Sequence, residues 1–399
     1  MNTINKLQSA DKLFVSLSLV CLFLTTFPLA QGWIPIGDFI PRAIMLLFVA
    51  ILWPKLLFQN DVFFLFLYFL IVYFAEPSQD LIQLVANLME FVLPLVIAHF
   101  VMDNHNLRAT KVFASFAIII TTVIMLMTII ANISYPNIVR QMVAFTAQGD
   151  EQNSILYRRM GVCSYSFALI AMCMAPVFLY LAREKGKKIL FYTLFLLTIY
   201  FVFITGVTTC LIIVLYMATV AFLVRKHKNF TTLVPKFLVT AFLFIFFGTF
   251  IVEFAEPLLR DTTFESHFEG LFSYFGKGQA SDNAYEFDER VDLYKYSLDT
   301  FFAHPLFGDA YGKIGGHNYF LDRFARNGII GMIPFFALLY IRFKKAYYFI
   351  PISTKVTFTI CIIGFFALGF LKNMSGIDYW TYMFVYVPCV LKYSEIRET

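Results

Sequence analysis

Charged residues are scarce in this chain, and their scarcity limits the class of protein it can be. Only 14% of the 399 residues are Asp, Glu, Lys or Arg, whereas soluble domains hold about 25%. Together with a mean hydropathy of +0.73, this excludes an ordinary soluble globular protein and an intrinsically disordered chain. It also excludes a nucleic-acid-binding module, so we expect no nucleic-acid partner.

The chain also lacks the clusters that hold metals or disulfide frameworks. All six cysteines fall inside apolar runs rather than in loops, as small buried residues do. No group of His, Cys and carboxylate residues has metal-ligand spacing, and no Asp-x-Asp pair stands in an outer loop to hold a divalent ion. We find no fixed-period repeat and no separate soluble domain, and we expect neither a metal nor another cofactor.

Long hydrophobic runs are what the chain has instead. Hydrophobic residues make up 60% of it, and a membrane-spanning helix needs about 20 residues. One apolar stretch, 187–224, is 38 residues long. We divide it into two spans at Thr205-Gly206, because two membrane-spanning helices need about 40 residues. We predict an all-α polytopic membrane protein, with residues 1–399 as a single integral membrane domain. Its twelve predicted spans are 13–30, 40–58, 62–75, 81–101, 111–131, 161–182, 187–205, 206–224, 232–252, 328–343, 356–371 and 377–393.

The distribution of charge predicts the orientation of these spans. With the N-terminus inside, 19 of the 31 Lys and Arg residues fall on the inner side and 19 of the 26 acidic residues on the outer side. The short basic loops at 183–188 and 225–228 decide the choice, because the positive-inside rule is most reliable for short loops. Both termini are then cytoplasmic. Two long outer segments result, at 132–160 and 253–327, and long loops inside compact proteins are commonly functional.

An amphipathic helix is predicted within the second outer segment. The helix should begin near Ser281 or Asp282 and end at His304-Pro305, since proline ends helices. Because its other face is charged, we expect it to lie along the membrane surface or to pack over the helix bundle. Its apolar residues recur at spacings of four and three: Phe287, Val291, Tyr294, Leu298 and Phe301.

Residues 290–332 carry a series of short motifs in a definite order. Arg290 is followed by His304-Pro305-Leu306-Phe307-Gly308, by Gly315-Gly316-His317-Asn318-Tyr319-Phe320-Leu321, and by Gly328-Ile329-Ile330-Gly331. In this order and position the stretch resembles the O-antigen polymerase (Wzy) and O-antigen ligase (WaaL) superfamily. Arg159-Met160-Gly161 resembles the Arg-x-Gly entry to a span in the same proteins.

The resemblance implies a GT-C-like membrane glycosyltransferase whose large periplasmic loop holds the catalytic motif. The favoured function is that of an inner-membrane polysaccharide polymerase. Such an enzyme transfers a growing glycan from undecaprenyl diphosphate to the terminal sugar of an incoming undecaprenyl-diphosphate-linked repeat unit, with inversion and without a metal. These lipid-linked oligosaccharides and membrane lipid are the implied partners, and a polysaccharide chain-length regulator is a further partner that the resemblance allows.

Two residues are expected to carry the chemistry. His317 is the candidate general base, because a neutral imidazole accepts a proton at pH 7. Arg290, helped by Arg159, is the candidate for stabilising the departing diphosphate, through bidentate hydrogen bonds to phosphate oxygens. The alternatives are a surface pair of Arg290 with Glu286 and a capping or interfacial role for His317.

Six further residues are candidates for substrate binding. Paired cations near the bilayer suit a lipid diphosphate, although they are equally suited to anchoring at the interface, and Arg158 and Arg159 form such a pair. Asn318 more readily bonds the backbone of its own loop, as Asn does in turns. The complete set is Arg140, Arg158, Arg159, Asn318, Arg323 and Arg326.

Two rival functions stay open. An O-antigen ligase that transfers glycan to lipid A-core should have a basic outer face for its phosphorylated acceptor, whereas the outer side here is acidic. A transporter or flippase for lipid-linked sugars should place ionisable residues along a midplane path, whereas Glu90 stands almost alone within the predicted spans. A hydrogen bond to a neighbouring helix would also explain Glu90. His99 and His105, on the inner side, are expected to be structural.

Overall fold

The computed structural model describes residues 2–34, 37, 39–75, 80–147, 151–184, 188–223, 235, 239 and 283–396. Within these residues the regular structure is helical, without a β-strand. The helices before residue 224 are α1 (Asn2–Thr26), α2 (Pro28–Trp33), α3 (Phe39–Leu52), α4 (Asn60–Ala75), α5 (Leu81–Ala98), α6 (Leu107–Ser134), α7 (Ile138–Ala147), α8 (Glu151–Arg159), α9 (Tyr165–Ile170), α10 (Met174–Glu184), α11 (Lys188–Ile204) and α12 (Thr208–Leu223). Those after residue 282 are α13 (Asn283–Ala303), α14 (Tyr319–Phe349), α15 (Lys355–Leu371), α16 (Ile377–Thr381) and α17 (Val387–Ile396).

Short irregular turns join several of these helices. A π turn at His99–Asp103 continues α5, and a 3₁₀ turn at Ala171–Cys173 joins α9 to α10. A second π turn, at Tyr382–Tyr386, joins α16 to α17.

Five helical segments of the described chain are long and apolar enough to cross a membrane. The length and apolar composition of these segments confirm the predicted all-α membrane character. The count of twelve spans stays a prediction. The five are Leu81–Asp103, Leu107–Ser134, Tyr165–Arg183, Tyr319–Phe349 and Ile352–Leu371, and shorter apolar helices lie at Phe39–Leu52, Asn60–Ala75, Lys188–Ile204 and Thr208–Leu223.

The predicted break at Thr205-Gly206 is confirmed. Helix α11 ends at Ile204, Gly206 has a φ of 69°, and α12 begins at Thr208. The predicted span 232–252 lies outside the described residues apart from 235 and 239, and residues 253–282 of the second outer segment also lie outside them.

The last predicted span forms the centre of the bundle. Every residue from 377 to 391 is buried, as expected for a helix that is apolar on all its faces. Trp380 stacks on Phe91 of α5, with 4.0 Å between ring centroids, and its edge meets Phe365 of α15 at 5.7 Å. Aromatic contacts of this kind therefore hold α5, α15 and α16 together.

A cluster of ionisable residues ties α4, α5 and α14 together at one end, with Asp61, His99 and Arg342 fully buried and Asp103 and Lys345 at its partly exposed edge. The His99 ring nitrogens lie 2.8 Å from Asp61 Oδ1 and 2.7 Å from Asp103 Oδ2. Lys345 Nζ lies 3.1 Å from Asp103, and Arg342 Nη1 lies 3.8 Å from Asp61. Ionisable side chains inside the described helices are thus more numerous than Glu90 alone.

The predicted amphipathic helix is α13, and it packs over the bundle against α14. It ends just before His304, as predicted. Of the predicted apolar face, Tyr294, Leu298 and Phe301 are partly buried, whereas Val291 is 39% exposed. Ser297, which lies outside the apolar spacing, is fully buried. Ser297 is buried because its hydroxyl bonds Asp322 of α14 at 2.5 Å, a contact that apolar spacing cannot show.

Candidate functional site

Two of the short motifs meet at a break in α14. Gly328 has φ 61° and ψ −174°, which interrupts the helix. The turn that follows α13 supplies the missing partners: Ile329 N–H donates to the Pro305 carbonyl at 2.9 Å and Ile330 N–H to that of Leu306 at 3.0 Å. A Cβ on Gly328 would lie 2.4 Å from the Leu306 carbonyl. The turn therefore requires glycine here and is joined directly to a membrane-length helix.

The loop that carries His317 is held between α13 and α14. The backbone approaches α13 closely at Gly315, where a Cβ would lie 2.3 Å from the Leu293 carbonyl oxygen. Gly315 N–H donates to Ser297 Oγ at 2.9 Å, and that hydroxyl donates to Asp322 Oδ1. Because Ser297 and Asp322 are buried, this chain of hydrogen bonds fixes the backbone on which His317 stands.

Asn318 is the N-cap of α14. Its side-chain oxygen accepts from Leu321 N–H at 2.8 Å, its own N–H donates to Asp322 Oδ2 at 3.1 Å, and its side-chain amide donates to the Phe370 carbonyl. It is 3% exposed. These contacts orient the start of α14. They thereby fix the backbone direction at His317, the residue before the N-cap.

His317 is exposed and lines a cavity of about 830 Å³. Ligand pockets measure about 300–1,000 Å³, so the cavity is large enough for a substrate. The cavity is lined by residues from both predicted outer segments and from the loop between α15 and α16. The residues lining it are Met142, Arg158, Ser164, Tyr165, Ser166, Thr209, Tyr294, Gly316, His317, Leu371, Lys372, Asn373, Ser375 and Tyr379.

The paired arginines at the end of α8 have separate environments. Arg158 lines the cavity, and its Nε is buried with no hydrogen-bond partner among the described residues. Arg159 Nε donates to the Gly32 carbonyl at 2.9 Å, and its guanidinium lies 5.2 Å from the centre of the Trp33 ring. Arg159 thus anchors α8 to α2, and Arg158 is the member of the pair that reaches the cavity.

The remaining arginine candidates lie elsewhere. Arg323 bonds the Tyr68 hydroxyl at 2.5 Å and stacks over Tyr319 at 4.4 Å. In the part of the chain that the structure describes, Arg140, Arg323 and Arg326 are not among the residues lining the cavity.

Arg290 falls within the backbone of α13, but its side chain lies outside the described residues. Its position precedes Tyr294 by one helical turn, and Tyr294 lines the cavity. Because helical positions four apart share a face, positions 290 and 294 lie on the same face of α13.

One wall of the cavity was not anticipated from the sequence. It consists of the loop between α15 and α16, with Lys372, Asn373 and Ser375. Glu90 holds this loop by accepting from Gly376 N–H at 3.1 Å, and it also pairs with Arg42 of α3 at 3.2 Å. Structural bonding therefore accounts for the partly buried carboxylate at position 90. The one signal for this wall was Lys372, a cation directly after an apolar run.

A pair of serines backed by a carboxylate forms another part of the wall. Ser164 Oγ and Ser166 Oγ donate to Asp378 Oδ2 at 2.8 Å and 2.6 Å. Ser164 also caps α9, because its oxygen accepts from Phe167 N–H at 3.1 Å. No sequence pattern singled out these three residues, since they come from helix ends far apart in the chain.

The six cysteines are all buried and unpaired with one another. Among the described residues, no group of three or more His, Cys, Asp and Glu side chains could hold a metal ion.

We compared the chain with protein-family models, with curated proteins and with solved structures, and none of these comparisons gave a match.

Proposed function

We propose that this chain is a polysaccharide polymerase of the bacterial inner membrane. It transfers a growing glycan from undecaprenyl diphosphate to the terminal sugar of an incoming lipid-linked repeat unit. One observation carries the proposal: Arg158, from the first outer segment, and His317, from the second, line the same cavity. A cation and an imidazole together suit a reaction that releases a diphosphate and deprotonates a hydroxyl.

The reaction is a single displacement. The acceptor hydroxyl oxygen attacks the anomeric carbon of the donor sugar, and its proton passes to His317. The bond between that carbon and the diphosphate oxygen breaks, and the electron pair leaves with the diphosphate. Arg158 stabilises the released charge, with Arg290 as a second cation from α13, because guanidinium groups bind phosphate oxygens in pairs and stay protonated.

The proposed topology follows from the charge distribution. Twelve spans place both termini in the cytoplasm and the cavity on the periplasmic side, because most Lys and Arg residues then face inward. Lipid-linked repeat units would reach the cavity from the outer leaflet.

The test is polymer formation in cells that carry His317→Ala or Arg158→Ala. We expect both variants to lose the ladder of long glycans on gels while inserting into the membrane normally. His304→Ala is the matched control, because His304 belongs to the same outer segment, has a side chain 56% exposed, and does not line the cavity. Full-length ladders from well-inserted His317→Ala would contradict the proposal.

The same cells distinguish the polymerase from the ligase. Loss of a polymerase leaves core that carries one repeat unit, whereas loss of a ligase leaves bare core. We expect the first result, and a chain-length regulator would then affect only the distribution of glycan lengths.

A transporter of lipid-linked sugars is a second candidate, and the cluster of Asp61, His99, Asp103, Arg342 and Lys345 favours it, because three of its members are fully buried. Ionisable residues inside membrane helices commonly mark transport or proton pathways. Purified protein in vesicles without any gradient decides between the two. Chain lengthening from two lipid-linked units supports the polymerase, and movement of these units across the vesicle membrane without lengthening supports the transporter.

A further inference from the structure

We propose that Ser166, with Asp378 behind it, forms a subsite that binds a sugar hydroxyl and excludes phosphate. The inference rests on the proposed function for the identity of the sugar, but its evidence is the hydrogen bonding of one wall of the cavity. Ser164 and Ser166 line the cavity, and Asp378, which holds both hydroxyls, is 4% exposed.

Each serine hydroxyl has a single proton, and the geometry accounts for both. Ser164 Oγ and Ser166 Oγ lie 3.0 Å from each other, but each lies closer to Asp378 Oδ2, at 2.8 Å and 2.6 Å. An ionised carboxylate only accepts hydrogen bonds, so Asp378 is the acceptor for both protons. With its proton directed to Asp378, each serine oxygen offers the cavity lone pairs alone. Ser164 Oγ already accepts from Phe167 N–H, so Ser166 has the more available acceptor.

A hydrogen-bond acceptor held by a carboxylate, as Ser166 is, discriminates between the diphosphate and the sugar of a lipid-linked sugar. A fully ionised phosphate has no proton to donate, and the negative charge of Asp378 repels it. A sugar hydroxyl donates to Ser166, and the hydrogen bond is strengthened because the serine is itself bonded to a charged group.

The cations of the same cavity have the opposite preference. Arg158 and Lys372 are donors without acceptor capacity, so they suit phosphate oxygens. Tyr165, Tyr294 and Tyr379 also line the cavity, and their rings offer apolar surface with a polar tip to a sugar ring. The cavity therefore offers cationic donors that suit the diphosphate and an acceptor that suits a sugar hydroxyl.

Asp378 is a positioning residue, since it acts through the serines. It stands in the first turn of α16, directly after the loop that Glu90 holds through Gly376 N–H. The orientation of Ser166 thus depends on α9, α16 and α5 together.

The experiment measures binding by the purified full-length protein in detergent. The probes are undecaprenyl diphosphate without sugar and the undecaprenyl-diphosphate-linked repeat unit isolated from cells that cannot polymerise it. For Ser166→Ala we expect about tenfold weaker binding of the sugar-linked probe, the effect of one charge-assisted hydrogen bond, and unchanged binding of the bare diphosphate. Ser166→Thr retains the hydroxyl and should restore binding. Arg158→Ala should weaken both probes.

Further measurements make each outcome decisive. Ser353→Ala is the control, because Ser353 is exposed and does not line the cavity. If Ser166→Ala does not fold, Asp378→Asn, which removes the charge behind the serines, should give the same selective loss. Equal losses for both probes, or no loss for either, would overturn the subsite. If the unaltered protein binds neither probe, the proposed function fails; if it polymerises and Ser166→Ala has no effect, the subsite alone fails.

Discussion

Ile329 donates its backbone N–H to the carbonyl of Pro305 at 2.9 Å, so a turn outside the helix takes the place of the helical turn that α14 lacks at Gly328. The His304 to Gly308 motif and the Gly328 to Gly331 motif are therefore two halves of one structure. Each half satisfies backbone groups that the other would leave unpaired, and unpaired backbone groups are costly away from water.

Gly328→Ala should destabilise the protein. The residue has a φ of 61°, which side chains rarely adopt, and a Cβ would lie 2.4 Å from the Leu306 carbonyl. We expect the free energy of unfolding to fall by about 2–4 kcal/mol, measured by denaturation in detergent. Gly37→Ala is the matched control, since Gly37 has a φ of 66° and, among the described residues, no atom within 4 Å of an added Cβ. Equal losses in the two variants would show that the contact with the turn has no role.

Ser297→Ala should reduce both the stability of the protein and its rate of turnover. It removes one hydrogen bond from Asp322 and leaves Gly315 N–H without its partner, which costs about 1–3 kcal/mol. Because the His317 loop is then less firmly held, we expect about tenfold slower polymerisation with little change in KM. Purified protein supplied with lipid-linked repeat units gives both constants, and Ser353→Ala should leave both unchanged. Unaltered turnover in Ser297→Ala would contradict a positioning role.

Asp61→Asn should be strongly destabilising. Asp61 Oδ1 lies 2.8 Å from a His99 ring nitrogen, and Asp61 Oδ2 lies 3.8 Å from Arg342 Nη1, with all three side chains fully buried. Removing the Asp61 charge leaves the buried Arg342 guanidinium without the carboxylate 3.8 Å away and leaves His99 with Asp103 alone, and breaking a buried ion pair costs about 3–5 kcal/mol. Glu395→Gln breaks the exposed pair with Lys392 and should cost about 1 kcal/mol or less. Denaturation midpoints that do not differ between the two variants would argue against the cluster.

Cysteine labelling in intact cells tests the orientation. All six native cysteines are buried, so an impermeant maleimide should leave the unaltered protein unlabelled. Tyr311 and Tyr348 are 76% and 73% exposed, and the charge distribution places them on opposite sides. Tyr311→Cys should be labelled from outside, and Tyr348→Cys only after the membrane is opened. The reverse pattern would invert the proposed topology and place the cavity in the cytoplasm.

The helices could be predicted from the sequence because their signals are local. The break between α11 and α12 follows from Thr205-Gly206 in a stretch too long for one helix, and the end of α13 follows from Pro305. Hydrophobic length, turn residues and proline act within a few positions of the residues they affect. The buried face of α13 was less predictable, because Val291 fits the apolar spacing but is exposed. The hydrogen bond from Ser297 to Asp322 fixes how α13 packs on α14.

By itself the sequence determined that this is an all-helical chain with membrane-length segments, and it marked His317, Arg290 and the arginine pair before Gly161 as the candidate site residues. Only the tertiary structure decided which arginine faces the cavity, since Arg158 and Arg159 are adjacent and identical in type. Arg159 donates to the carbonyl of Gly32, and Arg158 lines the cavity. The same is true of the wall formed by Ser166 and Asp378. Their hydrogen bond joins residues 212 positions apart, and such a pairing depends on how distant helices pack, which no local pattern records.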